Sequence, residues 1–404
     1  MCLLAPPASA GKPGGARQLA AATERTAALA YLRAHGAALG HDVDAWLETV
    51  VLLVRHGLPR GPRAAVVAPV GSWLEAQALL VAAEADSLGT RPPVIGPIGD
   101  AEPTDVVLYD PALGPPPSST PGMHVPVAPR GELATDPFAL HGARAALSAI
   151  HVLGRAAERI AVGLGPAPKA ASAELAIDRD RLERQLGKLA PGRVGDHETK
   201  VLLSAYGVPI TRQAVATTPS AAVKLARRAG YPVELKPWGH DLPTEPGGCP
   251  VEKGVGSDAL VRQGFTAVLA AASAARLASS ASYPGDGSAV IVRETPPTGR
   301  EVSVTLRELP ALGWTVLLDA PGTGQLAAPA PLRLVDAQAL AHQVAASRAG
   351  DPEPDRVGLA NLLRRVSHLA VDLGDTLERL ELPRVVVGGR GARTLVIDAI
   401  TELR

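Results

Sequence analysis

Apolar positions Leu29, Leu32, Leu39, Trp46, Leu47, Val50, Leu53 and Val54 recur at helical spacings, which predicts helix from Ala21 to His56. The stretch RAAVVAPVGSW, Arg63 to Trp73, then reads as a buried strand, a turn at Pro69 to Ser72, and the entry to an alanine-rich helix. Strands are predicted at Asp105 to Pro111 and at His124 to Pro129, followed by a helix from Pro137 to Ala161. Strand, helix and strand at these lengths imply a parallel sheet with helices on its faces.

A charged helix and connector, Asp178 to Gly192, leads into a second α/β unit. There the pattern predicts a helix from Asp196 to Tyr206 ended by Gly207, a strand toward Ala214, and a helix from Ser220 to Ala229 ended by Gly230. The short apolar strand Pro232 to Leu235 follows and runs into Lys236; a long helix is predicted from Ser257 to Ser279. SAVIVRETP and REVSVTLREL alternate apolar and polar residues around Pro-Pro-Thr-Gly, and predict an antiparallel strand pair. A further strand (WTVLLDA) with a glycine loop, two helices, and the closing strands PRVVV and RTLVIDA complete the chain.

Composition narrows the function classes. Forty basic and forty acidic side chains cancel, so net charge points to neither nucleic acid nor an anionic membrane. No apolar run reaches the roughly 18 residues that span a bilayer. Residues 1–20 are rich in Pro, Gly and Ala and are expected to form a disordered leader without a secretory core. Cys2 and Cys249 lie far apart, which speaks against a disulfide framework and makes a reducing cytoplasm the expected location.

The candidate chemistry centres on GYPVELKPWGHDLPTEPGGCP, Gly230 to Pro250. A lysine at the end of a buried strand, facing a Gly-Gly loop, suits a phosphate group, although a strand-end lysine is also a common solubilising group. Ser72 fits a helix N-cap better than a nucleophile turn, because G-x-S-x-G is absent. His141, His151, His342 and His368 lack metal-ligand spacing.

DHETKVLLSAYGVPITRQAVATTPSAAVKLARRAGYPVELK resembles the opening of the ATP-grasp half of the NDP-forming acyl-CoA synthetases, the acetate–CoA ligase (ADP-forming) group related to succinyl-CoA synthetase. That resemblance runs from about Gly192 to Ala399, and GPRAAVVAPVG with VPVAP makes the first unit similar to the family's flavodoxin-like domain. It implies an α/β chain: a leader (1–20), a flavodoxin-like three-layer domain (21–165), a linker (166–192) and a two-lobed ATP-grasp domain (193–404). It also implies ATP and magnesium, with Lys236 on phosphate, Arg293, Glu294 and Glu301 on the adenosine side, and Asp398 on the metal. CoA-binding and phosphohistidine domains are then expected on a partner chain, in an oligomer.

The chain departs from the family pattern at several of these points. The His-Lys-Ser-Asp loop is here Asp241-Leu242-Pro243-Thr244-Glu245-Pro246, with His240 before it. Arg293 stands where the family has glutamine, Glu381-Leu382-Pro383 replaces a segment with a metal-binding asparagine, and Pro321-Gly322-Thr323-Gly324 replaces the glycine loop. Two functions stay open on this ground: a ligase-family chain that works with a partner, and a catalytically inactive pseudo-ligase with a regulatory or scaffolding role.

Overall fold

A computed structural model of the protein describes residues 2–3, 16–40, 42–88, 92–96, 104–117, 119–132, 136–239, 251–278, 289–344, 354–389 and 392–404. The chain divides into two compact units, Met1–Leu19 with Tyr31–Gly165, and Ala20–Ala30 with Pro166–Arg404.

The N-terminal elements are β1 (Cys2–Leu3), α1 (Ala16–Ala34), β2 (Leu39–Gly40), α2 (Val43–Arg55), β3 (Ala64–Val67), α3 (Trp73–Leu88), β4 (Val94–Ile95), β5 (Val106–Tyr109), β6 (Met123–Ala128), β7 (Leu140–His141) and α4 (Ala143–Val162). Strands β3 to β7 form a five-stranded sheet in the order β4-β3-β5-β6-β7, with every pairing parallel. Its central strands β3 and β5 are apolar because both faces are covered; Ala65, Val66, Val107 and Leu108 have no exposed surface. Helix is predicted continuously from Ala21 to His56, but α1 and α2 are separate. Gly36 takes φ +79, and Asp42 starts α2 by accepting a hydrogen bond from the amide of Ala45. Ser72 does cap α3, accepting from the amide of Glu75.

The second unit comprises α5 (Arg179–Leu186), β8 (Gly192–Val194), α6 (Asp196–Ala205), β9 (Gln213–Ala216), α7 (Pro219–Ala229), β10 (Val233–Pro237), β11 (Glu252–Val255), α8 (Asp258–Ala278), β12 (Val290–Glu294), β13 (Gly299–Leu309), β14 (Gly313–Ala320), β15 (Gly324–Pro329), α9 (Leu334–Val344), α10 (Arg356–Asp372), β16 (Leu377–Gly388) and β17 (Leu395–Leu403). A four-stranded antiparallel sheet has the order β11-β10-β12-β9, and a six-stranded one the order β15-β14-β13-β16-β17-β8. Each has its own core. Val233, Leu235, Val290 and Val292 pack with Ala222, Val223 and Ala226 of α7 and Val261 and Phe265 of α8. Val304, Leu306, Val316, Leu382 and Val385 pack with Leu340 of α9 and Leu359, Leu363 and Val366 of α10.

The predicted pairing of SAVIVRETP with REVSVTLREL is overturned. Strand β12 pairs with β10 and β9, whereas β13 pairs with β14 and β16. The Pro-Pro-Thr-Gly segment therefore carries the chain from one sheet to the other. Alternation reports which face of a strand is buried, but not which strand lies beside it. No helix among the described residues is long and apolar enough to cross a membrane.

Candidate functional site

With Val233, Leu235, Val290 and Val292 committed to the core under α7 and α8, period two turns Glu234, Lys236, Ile291 and Arg293 to the other face of the small sheet. Glu234 lies directly opposite Arg293 in the ladder, and Gln213 opposite Arg293 on its other side. This face meets β17 of the large sheet and the start of α6. Three carboxylates (Asp196, Glu234 and Asp398) and three cations (Lys200, Lys236 and Arg293) converge there.

Lys236 Nζ donates to Asp398 Oδ1 at 2.9 Å and stands 3.9 Å from Asp196 Oδ2. Arg293 donates through Nη1 to the same Asp398 oxygen at 2.8 Å and to the Ile397 carbonyl at 3.0 Å, while Nε donates to Glu234 Oε2 at 2.8 Å. Lys200 Nζ donates to Asp196 Oδ2 at 3.2 Å, Thr211 Oγ1 at 3.1 Å and Gln213 Oε1 at 2.8 Å. Asp196 uses its other oxygen to accept from the amide of Ala399 at 2.9 Å. Trp238 Nε1, two residues past Lys236, donates to Glu198 Oε1 at 2.8 Å.

Exposure grades across the network. The Arg293 and Lys200 side chains are 1 % exposed, Lys236 13 % and Asp398 25 %, so Asp398 and Lys236 form its accessible edge. Burial acts to raise the Asp398 carboxyl, but the Lys236 ammonium and Arg293 guanidinium outweigh it and hold the group below the usual carboxylate range. Burial lowers Lys200 to about 8 against the pull of Asp196. The Arg293 guanidinium is opposed by burial, yet Asp398 and Glu234 together hold it above its ordinary value.

Of the residues predicted from sequence, the structure brings together Lys236, Arg293 and Asp398. Glu294 lies at the end of β12 and is occupied by Arg212, accepting from its amide at 2.9 Å and its Nε at 2.7 Å. Glu301, on β13, is half-exposed and pairs with Arg384 at 2.7 Å. Leu382 is fully buried in the core of the large sheet. Pro321 to Gly324 is the turn between β14 and β15, with Gly322 at φ +82 and Gly324 at φ +74. His240 and the loop to Pro250 lie outside the described residues.

Asp196, Lys200 and Glu234 are participants that the sequence reading passed over. An Asp and a Lys four apart on a helix, and a Glu two residues before Lys236 on an otherwise apolar strand, were the available signals.

The residues suit a phosphate group: a lysine at the accessible edge of a cleft between two sheets, with further cations behind it. They do not form a cage for a divalent cation. Asp398 already shares one oxygen between two cations, Leu382 has no ligating atom, and the described residues contain no group of three or more His, Cys, Asp or Glu placed to hold a metal.

Residues 190–403, over half of the chain, match the ATP-grasp domain family, and the chain belongs to it. ATP-grasp domains as a class bind ATP with magnesium. Within that class the chain is similar to the beta subunit of acetate–CoA ligase [ADP-forming] II from Pyrococcus furiosus, at 25 % identity over 224 residues, covering 52 % of this chain and 92 % of that one. What the comparisons show of the chain itself is the ATP-grasp domain. Solved structures with similarity include a dinucleotide-forming acetyl-coenzyme A synthetase 1 from Ca. Korarchaeum cryptofilum, in complex with coenzyme A, Ca-AMPCP and HgCl+ (23 % identity, TM-score 0.48, 56 % of this chain and all of that one). Another is a protein from Pyrococcus horikoshii Ot3 (22 % identity, TM-score 0.46, 57 % and 98 %).

Proposed function

We propose that this chain is the nucleotide-binding component of an ADP-forming acyl-CoA ligase and works with a partner, an alpha-type subunit supplying the CoA-binding and phosphohistidine domains. The observation that carries this reading is the Lys236–Asp398 pair at the accessible edge of the cleft. Lys236 holds phosphate oxygens as a point charge and leaves Asp398 to do so. Glu294 and Glu301 flank the adenosine side, and Asp398 keeps Arg293 as its partner when Lys236 turns to phosphate. Bound ATP would supply a transferable phosphoryl group, and the acceptor histidine lies on the partner. A purely regulatory or scaffolding role, without catalysis, finds no support in the family match.

Calorimetric titration with ATP and magnesium tests the reading. Saturable binding is expected, weakened about tenfold or more in Lys236→Ala, the scale of one charge-assisted phosphate contact. Equal affinity in both proteins would remove Lys236 from the site, and no binding in either would refute the function. Radiolabelled ATP, followed with and without an alpha-type partner, reports whether phosphoryl transfer depends on the second chain.

A further inference from the structure

The chain places a fixed cation, Arg293, against the carboxylate that the family reading gives to magnesium. We propose that Arg293 balances Asp398 in place of a divalent cation, so that this cleft takes the phosphates of ATP without requiring magnesium for affinity. The proposal rests on the nucleotide reading above and sharpens its cofactor.

Among the described residues, Asp196, Glu234 and Asp398 are matched by Lys200, Lys236 and Arg293, so these six charges cancel. When Lys236 turns from Asp398 to a phosphate oxygen, the carboxylate does not lose its partner. Arg293 Nη1 stays 2.8 Å from the same oxygen, anchored from behind by Glu234 at 2.7 Å and by the Ile397 carbonyl. With a neutral side chain at position 293, the same movement would leave Asp398 unpaired in a largely buried site, and a divalent cation would be the natural replacement.

Arg293 also works against a metal. A divalent ion on Asp398 would be brought close to a guanidinium that is 1 % exposed and held on two sides, so it cannot swing away or be screened by water. Among the described residues the neighbouring acids are already engaged, Glu198 by Trp238. Glu234 is taken by Arg293, and Asp196 divides its oxygens between Lys200 and the amide of Ala399. Leu382 is in the core.

The full-length chain is titrated calorimetrically with ATP in excess magnesium chloride and again in EDTA. The two dissociation constants are expected to agree within about threefold; a larger loss in EDTA overturns the proposal while leaving the nucleotide reading intact. Absence of binding under both conditions overturns that reading and the proposal with it. The double variant E234Q/R293Q keeps an amide pair across β10 and β12 and removes both charges together. It is expected to become magnesium-dependent by more than about tenfold, and a variant as indifferent to EDTA as the wild type counts against the proposal. Electron paramagnetic resonance of Mn2+ added to the wild-type chain without nucleotide gives a readout independent of any variant. A spectrum of free aqueous ion is expected, and saturable binding lost in Asp398→Asn refutes the claim.

Discussion

The parallel sheet of the first unit and the inter-sheet cleft of the second both gather charged side chains at one edge, but they hold them differently. Beyond β6 and β7, Arg130 pairs with Asp44 with both side chains more than half exposed, and His141 stands 3.9 Å from Glu48. In the cleft, Lys200 and Arg293 are sealed, and their partners come from α6, β9, β10 and β17. Exposed pairs exchange water for one another at little net gain, whereas each buried charge depends on all its partners remaining in place. The Arg130–Asp44 pair can therefore change with little consequence. The cleft is a preset charge arrangement, in which a ligand has to exchange partners rather than add to them.

Removal of one buried cation should separate the two regions most sharply. Lys200→Met is expected to destabilise the second unit by about 3–5 kcal/mol, because Asp196 loses the nearer of its two cations in a sealed site. Urea denaturation followed by circular dichroism measures it, and a loss no larger than that of a surface pair would erase the distinction. A smaller effect is expected at Thr218, which caps α7 by accepting from the amide of Ala221 at 3.1 Å, ahead of Pro219. Thr218→Ala should cost about 1 kcal/mol by the same measurement. Arg130→Ala should cost under about 1 kcal/mol and still less in high salt.

Acidity and alkalinity offer a further comparison within the second unit. Asp398 titrates below its unfolded value, so its contribution is fully present above about pH 4 and is lost as pH falls toward its folded value. His368, fully buried on α10, is lowered chiefly by burial. The unfolded chain takes up that proton first, so acidification below about pH 6.5 should destabilise the unit, and His368→Gln should flatten the slope. Lys200 behaves in the same sense at higher pH. Its folded value of about 8 lies below the ordinary 10.5, so the folded state releases a proton that the unfolded state keeps. Through this group alone, stability rises between those values, and Lys200→Met should remove the rise in a series of denaturation curves.

Much of the local structure was readable from the chain. Thr218-Pro219 before an amphipathic run and Gly230 after it announce α7, and the alternation in VELK and VIVRE assigns one set of residues to the core. Lys236 stood out because a charged residue ends an apolar strand. The partition of β12 and β13 between two sheets was not readable. The two are joined by turn-forming residues, and the strands that divide them, β9 and β10 for β12 and β16 for β13, lie far along the chain.

What the sequence by itself determined, then, is the period of burial in each strand and helix, since that follows from which side chains leave water. It also placed Lys236 as a charge at the end of an apolar strand, while Asp398 was reached through the family resemblance. Only the tertiary structure decided that these two meet, 162 residues apart, and that Arg293 reaches the same oxygen from the neighbouring strand. Pairing across sheets depends on a close approach of chain segments that no local pattern encodes, and the charge balance of the cleft exists only once that approach is made.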